Sequence, residues 1–504
     1  MSASASVRNT GWNLLGALLP IPVILLCIPP LVAALGVERF GVLGLAWMVL
    51  GYFGMFDFGL AQSTTRFVST VVARGELAGV RALVLGSLVL HFALGVVGAV
   101  LFALVIPWLI SAVFALPPEL VPETREALYW LAASVPAMVV TAALRGALEG
   151  LQRFDVVNVI RVPASIVNYA GPLAALAFGS GLPVVVAVIV IARYVMVAAY
   201  AVACARLMPP ATSAARITRA QLIMLASYGG WLTASNFLTP LIIAADRFVI
   251  GATISVSAVA FYVTPYEIIT KGWIFSASLM GAMFPVFAAL ATKDPGSIRA
   301  VSRSAQRYLL ALATPAIVFV LGAADVLLGW WLGDEFRANS TRVAQLLALG
   351  MLVNIVAQVP LTALNAAGRA DVSAKVAACE LPLYIGAIWL AATRFGIEGV
   401  AAVWAARAAL DAVVLFTVAH AVLPPEPRTH VIKGSGMGAL AMVCAFVAGG
   451  WLAAGMVPDT AARLAVLAVL LAVLLMWEWR VLLGRDDREN LRQLCNRLLT
   501  SPAR

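Results

Sequence analysis

The sequence predicts an all-α, polytopic membrane protein of about fourteen transmembrane helices, and three observations carry that expectation. Hydrophobic residues make up 62% of the chain and charged residues only 12%, against about 25% charged in ordinary soluble domains. Apolar runs close to the ~20 residues that a helix needs to cross ~30 Å of hydrocarbon fill nearly its whole length. The cations sit in the short turns between those runs, where membrane orientation places them. The formal charge of +10 therefore reads as topology, not as a nucleic-acid surface.

Taken in order, Arg8 precedes an apolar stretch from about 10 to 35, too long for the core of a signal peptide and read as a retained first helix. Further spans fall near 41–65, 82–114, 124–148, 157–179 and 182–207. A second set follows near 220–250, 256–291, 304–327, 342–366, 373–394 and 397–422, with a final pair near 434–456 and 461–483. Prolines punctuate them: Pro20, Pro22, Pro29 and Pro30 in the first, Pro240 in the seventh, Pro265 and Pro285 in the eighth. Each removes a backbone donor and can bend its helix.

Orientation follows from the cations, because Lys- and Arg-rich loops stay in the cytoplasm. With both termini inside, 24 of the 34 fall in cytoplasmic segments, among them Arg66, Arg74 and Arg81, then Arg145, Arg153 and Arg161, then Arg299, Arg303 and Arg307. Seven fall outside, and Arg193, Lys271 and Arg407 lie within spans. A miscounted helix would scramble this alternation, so the number of spans is even.

An internal repeat divides the chain. ALEGLQRFDV at 147–156 and ALNAAGRADV at 363–372 agree at five of ten positions, including Arg153 with Arg369 and Asp155 with Asp371. Both join a fourth span to a fifth. IAR ending at Arg193 and AAR ending at Arg407 lie in the sixth and twelfth spans at nearly the same offset. The expected organisation is two six-helix lobes in parallel repeat, 1–208 and 209–423, then a helix pair at 424–483 and a tail at 484–504. In that tail Leu491, Leu494, Leu498 and Leu499 alternate with Arg488, Arg492 and Arg497, the pattern of a helix lying on an anionic leaflet.

Several chemistries are excluded by what is missing. Cys27, Cys204, Cys379, Cys444 and Cys495 are scattered without metal or CxxC spacing, and His91, His420 and His430 form no ligand pattern. None of the lysines follows a phosphate-cradling glycine loop, so no nucleotide-driven pump is expected. The outer loops near 115–123 and 328–341 are too short for a catalytic domain, which argues against a membrane-embedded glycan polymerase. No cofactor is expected.

Three segments then point to a family. NTGWNLLG at 9–16, LGVERFGVLGLAW at 35–47 and DFGLAQSTTRFVS at 57–69 resemble the start of polysaccharide biosynthesis proteins, the oligosaccharide-lipid flippases of the Wzx type. DRFVIG at 246–251 with VAFYVTPYEI at 259–268, and ALNAAGRADVSAK with FGIEGVAAVWAAR at 395–407, extend the resemblance over roughly 9–423. It implies two lobes around a central cavity, alternating access in a bacterial inner membrane, and an undecaprenyl-pyrophosphate-linked glycan as cargo. Polysaccharide polymerase and glycosyltransferases are the implied protein partners. Lipid II flippases and multidrug exporters share the architecture, so these readings stay open.

Charges at membrane depth are costly and tend to mark function. Arg193 has no acidic neighbour on its own helix, and a guanidinium fork suits a pyrophosphate. Arg407 is its repeat mate, and Lys271, Arg66 and Arg145 complete the expected anion-binding set. Glu267 with Lys271 and Arg407 with Asp411 are spaced i,i+4 and can also pair within their helices. Asp57, Glu267 and Asp411 are candidates to carry a coupling proton, and Asp246 with Arg247 to form a gate at the outer end of the seventh span.

Overall fold

The structure is a computed structural model that describes residues 19–55, 64–65, 68, 71–72, 80–114, 116–179, 181–208, 243–425 and 436–482. The amphipathic tail, Pro240 and most of the seventh span lie outside these residues. The chain is helical and polytopic. The helices are α1 (Pro20–Met55), α2 (Val80–Trp108), α3 (Val121–Gly150), α4 (Phe154–Ala177), α5 (Leu182–Leu207), α6 (243–253) and α7 (Val256–Ile269). They continue with α8 (Trp273–Lys293), α9 (Ile298–Leu332), α10 (Asp334–Ala366), α11 (Ala370–Val422), α12 (Gly436–Met456) and α13 (Thr460–Trp477).

Among the described residues nine stretches are long and apolar enough to cross a membrane, and Ala441–Met456 is a shorter apolar helix. Nine stretches accommodate more than nine of the expected spans because α1 and α11 each hold two. Gly36 (φ 76°, ψ 162°) interrupts α1, and Gly396 (φ 62°, ψ −152°) interrupts α11, in a region of backbone space that only glycine occupies readily. The eighth expected span is also divided. A 3₁₀ turn at Thr270–Gly272 separates α7 from α8, within two turns of Pro265.

Two compact units emerge, Met1–Val263 with Ala377–Gly396, and Thr264–Val376 with Ile397–Arg504. In the first, Leu144, Ala147 and Leu148 of α3 pack against Val157 of α4, Met196, Tyr200 and Cys204 of α5, and Val84 of α2. The Tyr200 hydroxyl donates to the Val157 carbonyl at 3.0 Å, and the Tyr194 hydroxyl to the Ala133 carbonyl at 2.6 Å. α2 approaches α3 closely: a Cβ on Gly95 would stand 2.6 Å from the Pro136 Cα. The opposite face of α2 leaves Val89, Phe92, Leu101 and Leu104 more than half exposed, as a lipid-facing surface requires.

In the second unit Gly350 of α10 lies against Trp404 and Ala405 of α11, and the Gln345 amide donates to the Leu321 carbonyl of α9 at 2.8 Å. The C-terminal helix pair is seated on α9. Gly450 of α12 lies against the Val318 backbone, Gly322 faces Leu467 of α13, and Arg463 bonds Asp325 at 2.8 Å.

The sequence repeat has a local structural counterpart. After α3, the Arg153 N–H bonds the Leu148 carbonyl and the Gln152 N–H the Glu149 carbonyl, both at 2.9 Å, with Gln152 at φ 60°. After α10, the Arg369 N–H bonds the Leu364 carbonyl at 2.9 Å and the Gly368 N–H the Asn365 carbonyl at 3.1 Å, with Gly368 at φ 80°. These are the same helix-ending motif at matching repeat positions. Arg153 then bonds both Asp155 oxygens, at 3.0 and 2.9 Å, and that hydrogen-bonded carboxylate holds its guanidinium above the ordinary arginine range.

Candidate functional site

A cavity of about 320 Å³ opens between α3, α4 and α5 of the first unit, and three arginines from three helices reach it. Arg145 comes from the last turns of α3, Arg161 from the second turn of α4 and Arg193 from the middle of α5. Ser165, Asn168 and Tyr169 continue the lining along α4. Asn158, Arg161, Ser165 and Asn168 are spaced three to four residues apart, so they share one face of that helix. Lipid would leave these groups without partners; the cavity supplies polar neighbours instead.

The three guanidinia are held differently. Arg145 Nε lies 3.4 Å from Glu149 Oε1, one turn along the same helix. Arg161 donates to the Asn158 side-chain oxygen at 2.6 Å, and its charge also lies within reach of Glu149 and Arg145. Arg193 donates to the Asn168 side-chain oxygen at 3.2 Å, a neutral partner from a neighbouring span. Glu149 thus stands among two arginines, while Arg193 is matched by no described carboxylate. Around one small cavity the charge among the described residues is three cations to one anion. Excess positive charge in a partly dehydrated cleft is stabilised by bringing in an anion.

Tyr169 adds an aromatic wall, its ring 5.0 Å from that of Trp47 in α1, which in turn meets Phe40 edge-on at 5.9 Å. The chemistry available is therefore charge-assisted hydrogen bonding to an anion beside a rigid aromatic surface.

Of the residues expected from sequence, Arg145 and Arg193 meet at this cavity. In the sequence Arg161 counts only as one of the cytoplasmic cations. Its signal was present in the i, i+4, i+7 polar stripe that it starts on α4, which a count of cations per loop overlooks. Asp57 and Arg66 lie outside the described residues. Lys271 sits in the 3₁₀ break between α7 and α8, with Nζ 3.4 Å from Glu267 Oε2, so its charge is matched locally. Arg407 and Asp411 stand one turn apart on α11 and attract each other. All four belong to the second unit. Asp246 is fully buried, accepting from the Tyr262 hydroxyl at 2.7 Å and from the Arg247 backbone N–H at 2.7 Å, and Arg247 is buried beside it.

Comparison with known proteins places this geometry in context. Residues 6–291 match the family of polysaccharide biosynthesis proteins. A Shigella flexneri protein named "Putative O-antigen transporter" is 27% identical over 423 residues, spanning 81% of this chain and 96% of that protein. Among solved structures, an inward-facing multidrug resistance MATE family transporter of the MOP superfamily superposes with a TM-score of 0.67 at 15% identity, covering 82% of this chain and 94% of its own. A MOP superfamily transporter from Pyrococcus furiosus, described as having a binding pocket of reverse polarity, gives 0.59 at 14% identity, covering 82% of this chain and 95% of its own. The folds correspond, and with the family match over more than half its length the chain belongs to the polysaccharide biosynthesis protein family, as a multi-pass membrane transporter and not an enzyme.

Proposed function

We propose that this transporter is a flippase that carries an undecaprenyl-pyrophosphate-linked oligosaccharide, such as an O-antigen, exopolysaccharide or capsule repeat unit, from the cytoplasmic to the outer leaflet of a bacterial inner membrane. The observation that carries the reading is the convergence of Arg145, Arg161 and Arg193 on one cavity with, among the described residues, a single carboxylate, Glu149, between them. A pyrophosphate bridge presents several anionic oxygens in a small volume, and guanidinium forks bind such oxygens with two bonds each. The cavity lies near the small end of the ~300–1,000 Å³ typical of ligand pockets, so it encloses the anion and a neighbouring group while the rest of the glycan extends beyond. Lys271 and Arg407, and Arg66, are further cationic stations along the route in this reading. Both termini face the cytoplasm, where glycosyltransferases make the cargo; a polymerase takes it up on the other side.

The test is translocation of a fluorescent undecaprenyl-pyrophosphate oligosaccharide in proteoliposomes at matched protein incorporation. Wild type flips it; Arg193→Ala and Arg161→Ala each lower the rate at least tenfold, in line with roughly 1.5–3 kcal/mol for one charge-assisted bond. Unchanged rates in both variants would reduce these arginines to packing groups. Transport of lipid II but of no other glycan would shift the cargo, and export of cationic dyes without flipping would overturn the reading, since a cavity of this sign repels cations.

A further inference from the structure

The C-terminal helix pair contains a buried carboxylate that the cargo cavity does not use. Glu478 begins the π-helical turn Glu478–Leu482 at the end of α13, is 3% exposed, and its Oε1 has no partner among the described residues. On the facing helix, Thr314 of α9 is fully buried and its hydroxyl likewise has none.

Register brings the two groups to one level. Asp325 of α9 bonds Arg463 of α13, Gly322 faces Leu467, and Val318 clusters with Leu470, Leu471, Leu474 and Trp477. Going down α9 therefore means going up α13 in number. One turn beyond Val318 lies Thr314, and one turn beyond Leu474 lies Glu478, each on the face already in contact. Pro315 has no N–H, which leaves the Ala311 carbonyl without its usual helical donor. A π turn in a helix likewise commonly marks a functional position.

Among the described residues the surroundings offer no protein cation that closes this group. α12 carries no charged residue. Arg463 of α13 is committed to Asp325, and Arg480 of the π turn is exposed. On α9 the nearest cations are Arg303 and Arg307, and Arg307 lies two turns from Thr314 and donates to Ser304 at 3.0 Å. A carboxylate buried one turn beyond the apolar cluster of Val318, Phe446, Leu474 and Trp477, with no described cation to meet it, calls for neutralisation by something small.

We propose that Glu478 and Thr314 form a monovalent-cation site, for a proton or Na⁺, in the seam between α9 and the C-terminal helix pair. Loading it removes the buried charge and favours docking of the pair, so a cation gradient acts on the second unit while the cargo anion binds in the first. The inference goes beyond the flippase reading and does not need it.

The test uses the purified full-length protein in detergent, with thermal unfolding followed against pH and against Na⁺ at constant ionic strength, choline replacing sodium. A wild-type Tm that rises with acid alone identifies the proton, and one that rises with Na⁺ over choline identifies sodium. Glu478→Gln, which is already neutral, flattens whichever response wild type shows, and Thr314→Val shifts its midpoint toward higher cation concentration. Equal responses in wild type and Glu478→Gln would overturn the site. So would loss of the response on joint replacement of Arg485, Arg488 and Arg492 by alanine, which would assign the counter-charge to the tail. Because no cargo is used, a failed flipping assay leaves the result standing.

Discussion

Arg161 and Arg145 share Glu149, so removing that carboxylate and removing one arginine have different consequences. Glu149→Gln frees both guanidinia to bind anion, and the expected outcome is tighter cargo binding with slower release, read as a lower half-saturating cargo concentration in the proteoliposome assay. Arg161→Lys keeps the charge but loses the planar fork. Its flipping rate should fall between those of wild type and Arg161→Ala. Equality of the lysine variant with wild type would mean that a point charge suffices and that bidentate geometry plays no part. The ion pair at Asp325 is of another kind. Asp325→Ala leaves the buried Arg463 without its partner, at a cost of about 1–3 kcal/mol, while Arg463→Met leaves unpaired the Asp325 carboxylate, which is more exposed (28% against 8%), and should cost less; thermal unfolding of the two variants ranks them.

Helices here are positioned by close backbone approach. Gly95 admits Pro136 to 2.6 Å of where a side chain would start, whereas Gly281 of α8 has nothing within 4 Å. Gly95→Ala is expected to destabilise by about 1–3 kcal/mol through forced displacement. Gly281→Ala should be neutral or slightly stabilising, since alanine is the better helix former. A matched pair of melting curves decides this. The composition of α2 and α3 announces two spans but not which glycine meets which proline, because that depends on how the helices cross. Gly36 and Gly396 fall in the short intervals between expected spans, yet the backbone angles that only glycine takes there are visible only in the fold.

Over the whole molecule, orientation is testable without cargo. In a cysteine-free background, a cysteine at Gln152 should be sheltered from a membrane-impermeant maleimide in intact cells, and one at Ser180 should be labelled. The reverse pattern would invert the topology, and labelling of both would show that one of the spans α4 or its neighbours does not cross. Accessible Ser180 with sheltered Gln152 would also place Arg145 and Arg161 at the cytoplasmic mouth of their cavity, where a headgroup made inside first arrives.

What the sequence determined by itself is set by solvent: a chain with so few charges has to live in lipid, lipid forces backbone bonds to close within helices, and the alternation of cations fixes an expected orientation. The repeat at 147–156 and 363–372 was legible too, because a helix-ending turn and its ion pair are local. Arg193 stood out because it had no acid on its own helix. What only the tertiary structure decided is which charges meet. The structure brings Arg145, Arg161 and Arg193 from three helices to one cavity, matches Lys271 with Glu267, buries Asp246 against Tyr262, and buries Glu478 and Thr314 without hydrogen-bond partners among the described residues. Sequence periodicity describes one helix at a time, whereas a binding site in a membrane is a property of the faces that several helices turn toward each other.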